Sequence, residues 1–115
     1  MSGNEFLPEA GDLIWTDFDP PLGREQAGRR PALAVSPRAF VLHTGFVFVC
    51  PITSRVRPFP TSVVLPDGLP IAGEILLSHL RSIDIHAHTI RPVGAAVPAE
   101  TARQVRAKLA ALIAI

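Results

Sequence analysis

The chain has 115 residues, enough for one domain with a single core and too few for two cores of ordinary size. Its 48% hydrophobic and 18% charged residues lie in the globular range, and every apolar run is cut by Pro, Gly or a charge before it could span a bilayer, which excludes a transmembrane helix. The net charge of +1 hides a segregation: residues 1–23 carry five acids and no base, whereas 24–57 carry six arginines against Glu25 alone. That middle segment is a candidate basic patch, and ten of the eleven bases in the chain are arginine, whose planar fork suits phosphate.

In chain order, residues 1–10 read as a loose acidic leader with neither the basic start nor the apolar stretch of a secretory signal, so the protein is expected to stay in the cytoplasm. A single domain is expected over residues 11–115. "GDLIWTDFDP" reads as a strand from Asp12 to Phe18, with Leu13 and Trp15 on one face and Asp17 as a further candidate there. Pro20 to Arg30, with two prolines, Gly23, Gly28 and several charges, reads as a long loop. "PALAVS" resumes a strand whose first residue is set by Pro31, which has no N–H to offer a ladder.

Pro37 to Leu42 reads as a short helical turn. "FVFVCPITS" is the most strand-like segment, stopped or bulged at Pro51. "TSVVL" is a short strand, "PDGLP" a turn, and "GEILLSHLRSIDIHAH" divides near Ser78 to Arg81 because its second half is too polar for one buried strand. The final segment, "VPAETARQVRAKLAALIAI", is a helix with Pro98 in its first turn. Glu100 lies near the positive end of the helix dipole, and Ala102, Val105, Leu109, Leu112 and Ile113 form one apolar face. Arg103, Arg106 and Lys108 form a solvated face. Five to seven short strands with one terminal helix argue for a small, mostly β barrel with a helix packed on it.

The lone Cys50 inside "GFVFVCP" cannot form an intrachain disulfide and reads as a small buried hydrophobe. Trp15, Phe18, Phe46 and Phe48 are read mostly as core, with Phe18 also able to stack on an unpaired base beside the loop. His86 and His88 share a face if their segment is a strand. Two ligands without a neighbouring Cys or carboxylate cluster are too few for zinc, so they are read as surface histidines, and His43 as a loop residue.

The block "GDLIWTDFDPPLGREQAGRRPALAVSP", followed by "CPITS" and "RSID", resembles the MazF/PemK family of toxin endoribonucleases from bacterial toxin–antitoxin pairs. The similarity runs from about Gly11 to the last helix, and its most specific parts are the initial GD-L-hydrophobic step, E-Q-x-G-x-R-P and the strand-ending P-x-T. The resemblance implies an SH3-like barrel that forms a homodimer and cuts single-stranded RNA without a metal or other cofactor, leaving a 2′,3′-cyclic phosphate and a 5′-hydroxyl. It also implies silencing by a MazE-like antitoxin with a flexible acidic tail, DNA contact only indirectly through that antitoxin, and no membrane partner. The family's catalytic arginine falls on Arg30, its catalytic threonine on Thr53 and its loop carboxylate on Glu25, with Gln26 beside it. Arg29, Phe18, Arg55, Arg57, Ser78, His79 and Arg81 are the further candidates for RNA contact.

The chemistry agrees with the residue types. Cleavage to a cyclic phosphate uses the ribose 2′-hydroxyl as an internal nucleophile, so the enzyme has to position the sugar-phosphate, move two protons and stabilise charge on the phosphorane. A permanently charged guanidinium at a strand start suits the last task, and deprotonating it to act as a base is very unfavourable. Thr53 offers a hydroxyl to a non-bridging oxygen. Glu25 either accepts the 2′-hydroxyl proton or holds Arg29 or Arg30 by an ion pair, and the structural role is favoured. Some relatives carry a carboxylate where this chain has Ser78, which cannot be a base; His79 follows it, at a position that helps hold the RNA base in relatives, and a base, a stacking surface or neither are its open readings. The rival reading from another class is a non-catalytic barrel, either gyrase-poison-like or an inactivated toxin that only binds its antitoxin.

Overall fold

The computed structural model describes residues 6–18 and 29–115. The expected loop from Pro20, with Glu25 and Gln26, lies outside the described residues as far as Gly28. The elements in chain order are β1 (Asp12–Thr16), β2 (Arg30–Ala34), α1 (Arg38–Thr44), β3 (Phe46–Thr53), β4 (Ser62–Val64) and β5 (Glu74–Leu76). A single 3-10 turn (Leu77–His79), β6 (Arg81–Asp84), β7 (Ile90–Ala96) and α2 (Ala99–Leu112) complete it. All pairings are antiparallel along β4-β5-β3-β2-β1-β7, with β6 joined to β3. The protein is mostly β with a C-terminal helix, as expected, although among the described residues the pairing path stays open and does not close into a full barrel.

Side-chain alternation along the strands builds a core on each face of the sheet. Leu13, Leu33, Cys50, Ile52 and Ile75 join one cluster, with Trp15 and Val93 packed at its margin. Ile14, Ala32, Ala34, Val47, Val49, Ile83 and Ile90 join the other. β1 is therefore covered on both faces, and its apolar residues are not confined to the single face that Leu13 and Trp15 suggested. Cys50 is fully buried, and burial pushes its thiol up to about 12.

Pro31 is the second residue of β2, not its first, and Pro51 neither stops nor bulges β3. Pro51 pairs with Ala32 on one side, while on the other side β3 changes neighbours between Val49, opposite β6, and Ile52, opposite β5. A residue without an N–H is tolerated where one edge of the strand is between partners.

The helical turn after Pro37 is a full helix that includes His43 and ends on Gly45, whose φ of +78° closes the C-terminus in the left-handed region. The long segment after Gly73 divides as expected, at the 3-10 turn. β7 was not among the named strand expectations; Pro92 and Gly94 (φ +95°) interrupt its pattern, and both are accommodated on a strand that ends the pairing path next to a register shift in β1.

Several side chains depart from expectation. Phe46 and Phe48 are 43% and 39% exposed, because they lie on the face of β3 that Cys50 and Ile52 share but beyond its cover. Phe48 meets the ring of Phe40 at 5.1 Å. In α2, Val105 and Thr101 are buried, but Leu112 and Ile113 run past the sheet and are exposed. Pro98 is the N-cap of this helix, just before its first turn. Arg103 pairs with Glu100, whereas Lys108 is not simply solvated: its Nζ donates to the Ser62 carbonyl at 2.8 Å and ties α2 to β4.

His86 and His88 lie in the turn after β6, not on a strand, and the His88 ring is half-buried with Nδ1 3.1 Å from the Asp17 carbonyl. The acidic leader is anchored from Phe6 onward. Phe6 and Leu7 pack against the second cluster, and Glu9 accepts the Arg38 N–H at 2.8 Å. Among the described residues no helix is long and apolar enough to cross a membrane.

Candidate active site

Two adjoining clefts open at the end of the sheet where β2 begins and β3 ends. The larger, about 410 Å³, is lined by Arg30, Pro31, Pro51, Thr53, Leu76 and His79 among others. The smaller, about 290 Å³, shares Thr53, Leu76 and His79 and adds Arg55, Arg57 and Ser78. Arg30 and Thr53, far apart in the chain, therefore face one cavity because β2 runs antiparallel to β3 and the start of one lies beside the end of the other.

Arg30 is exposed at the first position of β2, opposite Thr16 in β1. Thr53 is the last residue of β3. Its hydroxyl oxygen accepts the Arg55 N–H at 3.1 Å, which leaves the hydroxyl proton free to be donated to a ligand in the cleft. His79 closes the 3-10 turn, exposed and on the wall common to both clefts. Arg55, Arg57 and Ser78 are exposed around the smaller cleft. The arrangement is a trough with three guanidinium groups, one imidazole and several hydroxyls, suited to an extended polyanion.

Arg29, Phe18 and Arg81 line neither of these two clefts. Arg81 stands 5.2 Å over the Phe18 ring, and Phe18 packs against the second core cluster, so one face of that ring is covered. Arg29 stands 5.1 Å over Trp15. Glu25 and Gln26 lie outside the described residues.

Two residues that sequence reasoning missed hold the trough together. Glu74 is 1% exposed and directly opposite Thr53 on β5. Its carboxylate accepts a hydrogen bond from the Ser62 hydroxyl and another from the Arg57 N–H at 2.7 Å. The Ser62 hydroxyl and then the Arg57 N–H hold its pKa below the ordinary carboxylate value, so Glu74 is an ionised anchor for the loop carrying Arg55 and Arg57. Gly73 precedes it with φ +145°, and a Cβ there would lie 2.3 Å from the Thr53 carbonyl oxygen. The only local trace of this pair is a Gly-Glu step opening an apolar run. A carboxylate in that setting requires buried partners.

The model of the PemK-like, MazF-like toxins of type II toxin–antitoxin systems matches residues 9–113. The endoribonuclease toxin MazF of Escherichia coli K12 is 37% identical over 110 residues, covering 96% of this chain and 97% of its own. The crystal structure of MazF from Deinococcus radiodurans superposes with a TM-score of 0.84 at 40% identity, covering 96% of this chain and all of that one. A MazE–MazF structure from the same organism also gives 0.84, at 37% identity, with 96% and 99% covered. With the family pattern spanning both strands that bound the cleft, this chain belongs to the PemK-like, MazF-like toxin family of type II toxin–antitoxin systems.

Proposed function

We propose that the chain is the toxin of such a pair and acts in the cytoplasm as an endoribonuclease on single-stranded RNA, with Arg30 and Thr53 on the scissile phosphate. The observation that carries this reading is the shared cleft of Arg30, Thr53 and His79. The 2′-oxygen attacks phosphorus and the bond to the 5′-oxygen breaks, so the nucleophile is supplied by the substrate and no activated water is required. Arg30 stabilises the charge that accumulates on the non-bridging oxygens, and Thr53 donates to one of them. His79 takes the 2′-hydroxyl proton, its imidazole standing on the wall common to both clefts. Arg30 would also hydrogen-bond the departing 5′-oxygen, which takes its proton from solvent, while Arg55 and Arg57 hold flanking phosphates and Ser78 a neighbouring polar group.

The relatives support the pairing with an antitoxin, since the compared structures include a MazE–MazF complex. A MazE-like antitoxin with an acidic tail would compete with RNA for the same arginine-lined trough, and any contact with DNA would run through that antitoxin. A homodimer would extend the trough across two copies. The test is incubation of the full chain with a long unstructured RNA in excess chelator, followed by mapping of the ends. Discrete cuts bearing cyclic phosphate and 5′-hydroxyl ends are expected; intact RNA that remains bound would favour the non-catalytic barrel instead.

A further inference from the structure

We infer that Trp15, Arg29 and Arg91 form a second RNA subsite, one that stacks a base and holds a phosphate next to the cleaved nucleotide. The inference rests on the endoribonuclease reading and adds a place on the surface to it. Two register pairings, one cleft wall and one ring contact carry it. Trp15 of β1 is directly opposite Pro31 of β2 and directly opposite Arg91 of β7, so the three side chains form a row on one face of the sheet. Pro31 also lines the larger cleft, which places Trp15 one strand, about 5 Å, from its wall. Arg29, just before β2, lays its guanidinium over the indole with its carbon 5.1 Å from the ring centroid.

The face is that of the first core cluster, yet at this end the core runs out. Trp15 is half-buried, whereas Arg29 and Arg91 are exposed. Among the described residues neither arginine is in an ion pair. A half-buried tryptophan with the Arg29 guanidinium over its ring, and with Pro31 and Arg91 opposite it on the neighbouring strands, is a surface of flat rings and planar cations. A base would stack on the outer face of the Arg29 guanidinium, which the indole backs, without its edge being read, and Arg91, in no ion pair among the described residues, would take a phosphate. An acidic peptide would use the charges alone, whereas a base would also use the flat guanidinium–indole stack, so the aromatic element favours nucleic acid.

Trp15 is the sole tryptophan of the chain, so its emission reports directly on this place. The experiment titrates the full chain with a 2′-O-methyl RNA copied from the mapped cut of a long transcript, following both labelled-RNA anisotropy and tryptophan fluorescence. Saturable quenching with the same midpoint as the anisotropy change is expected. Arg91→Gln should weaken binding several-fold and reduce the log–log salt slope by about 0.7, the share of one phosphate on a single strand. Arg103→Gln, on α2 and paired with Glu100, should leave the slope unchanged.

RNA that binds and is cut while Trp15 stays silent and Arg91→Gln behaves as the parent would overturn the subsite and leave the nuclease reading standing. RNA that is neither bound nor cut would overturn both. Loss of binding to an acidic antitoxin tail, but not to RNA, on Arg91→Gln would assign the surface to the protein partner and contradict the proposal.

Discussion

Arg30→Ala is expected to lower single-turnover RNA cleavage by a hundredfold to a thousandfold, the usual cost of removing one preorganised donor from a developing oxyanion. Arg30 is exposed at the first position of β2 and contributes no core contact, so the variant should fold with an unchanged melting temperature and should still dimerise and bind its antitoxin. Arg30→Lys should recover only part of the rate, since an ammonium cannot span two phosphate oxygens as a guanidinium does. A variant cutting at the parental rate would move charge stabilisation to another residue of the trough.

Gly73→Ala should damage both stability and activity. The added methyl meets the carbonyl oxygen of Thr53 at 2.3 Å, a backbone atom that cannot swing aside, and the φ of +145° is itself strained for any side chain. Roughly 3 kcal/mol or more of unfolding free energy is at stake. Gly68→Ala is the internal comparison: its φ of +96° carries strain of about 1–2 kcal/mol, but nothing lies within 4 Å of the new Cβ. Chemical denaturation of the two variants should separate them clearly. Because the clash falls on Thr53, whose hydroxyl is proposed to act on the scissile phosphate, Gly73→Ala should also lose cleavage under conditions where it remains folded. Equal destabilisation by both substitutions would show that β3 and β5 can part without consequence.

The legibility of this structure in its sequence follows the range of the interaction that fixes each part. β3 and α2 announce themselves through local periodicity, whereas the arginine and threonine of the cleft are singled out by the family motifs E-Q-x-G-x-R-P and P-x-T. β7 does not, because Pro92 and Gly94 break its alternation and only pairing with β1 restores it. Phe46 and Phe48 have the alternation of core residues, but their exposure depends on where the cover of the sheet ends, which no short window contains. Gly73 and Glu74 acquire their roles from the β3–β5 register, with Thr53 opposite Glu74. Trp15 and Arg91 are likewise neighbours only through a pairing across most of the chain. Family motifs thus point to the cleft residues Arg30 and Thr53, while Gly73 and Glu74 emerge only from long-range register.

The central claim is that the ribose attacks its own phosphate between Arg30 and Thr53. The most direct test is an RNA carrying one 2′-deoxy nucleotide on the 5′ side of the mapped cut, compared with its all-ribose parent for binding and for cleavage. Binding at parental affinity with no cleavage is the expected result. Cleavage of the deoxy strand at the parental rate would mean that water, not the 2′-oxygen, is the nucleophile, and would contradict the mechanism built on this cleft.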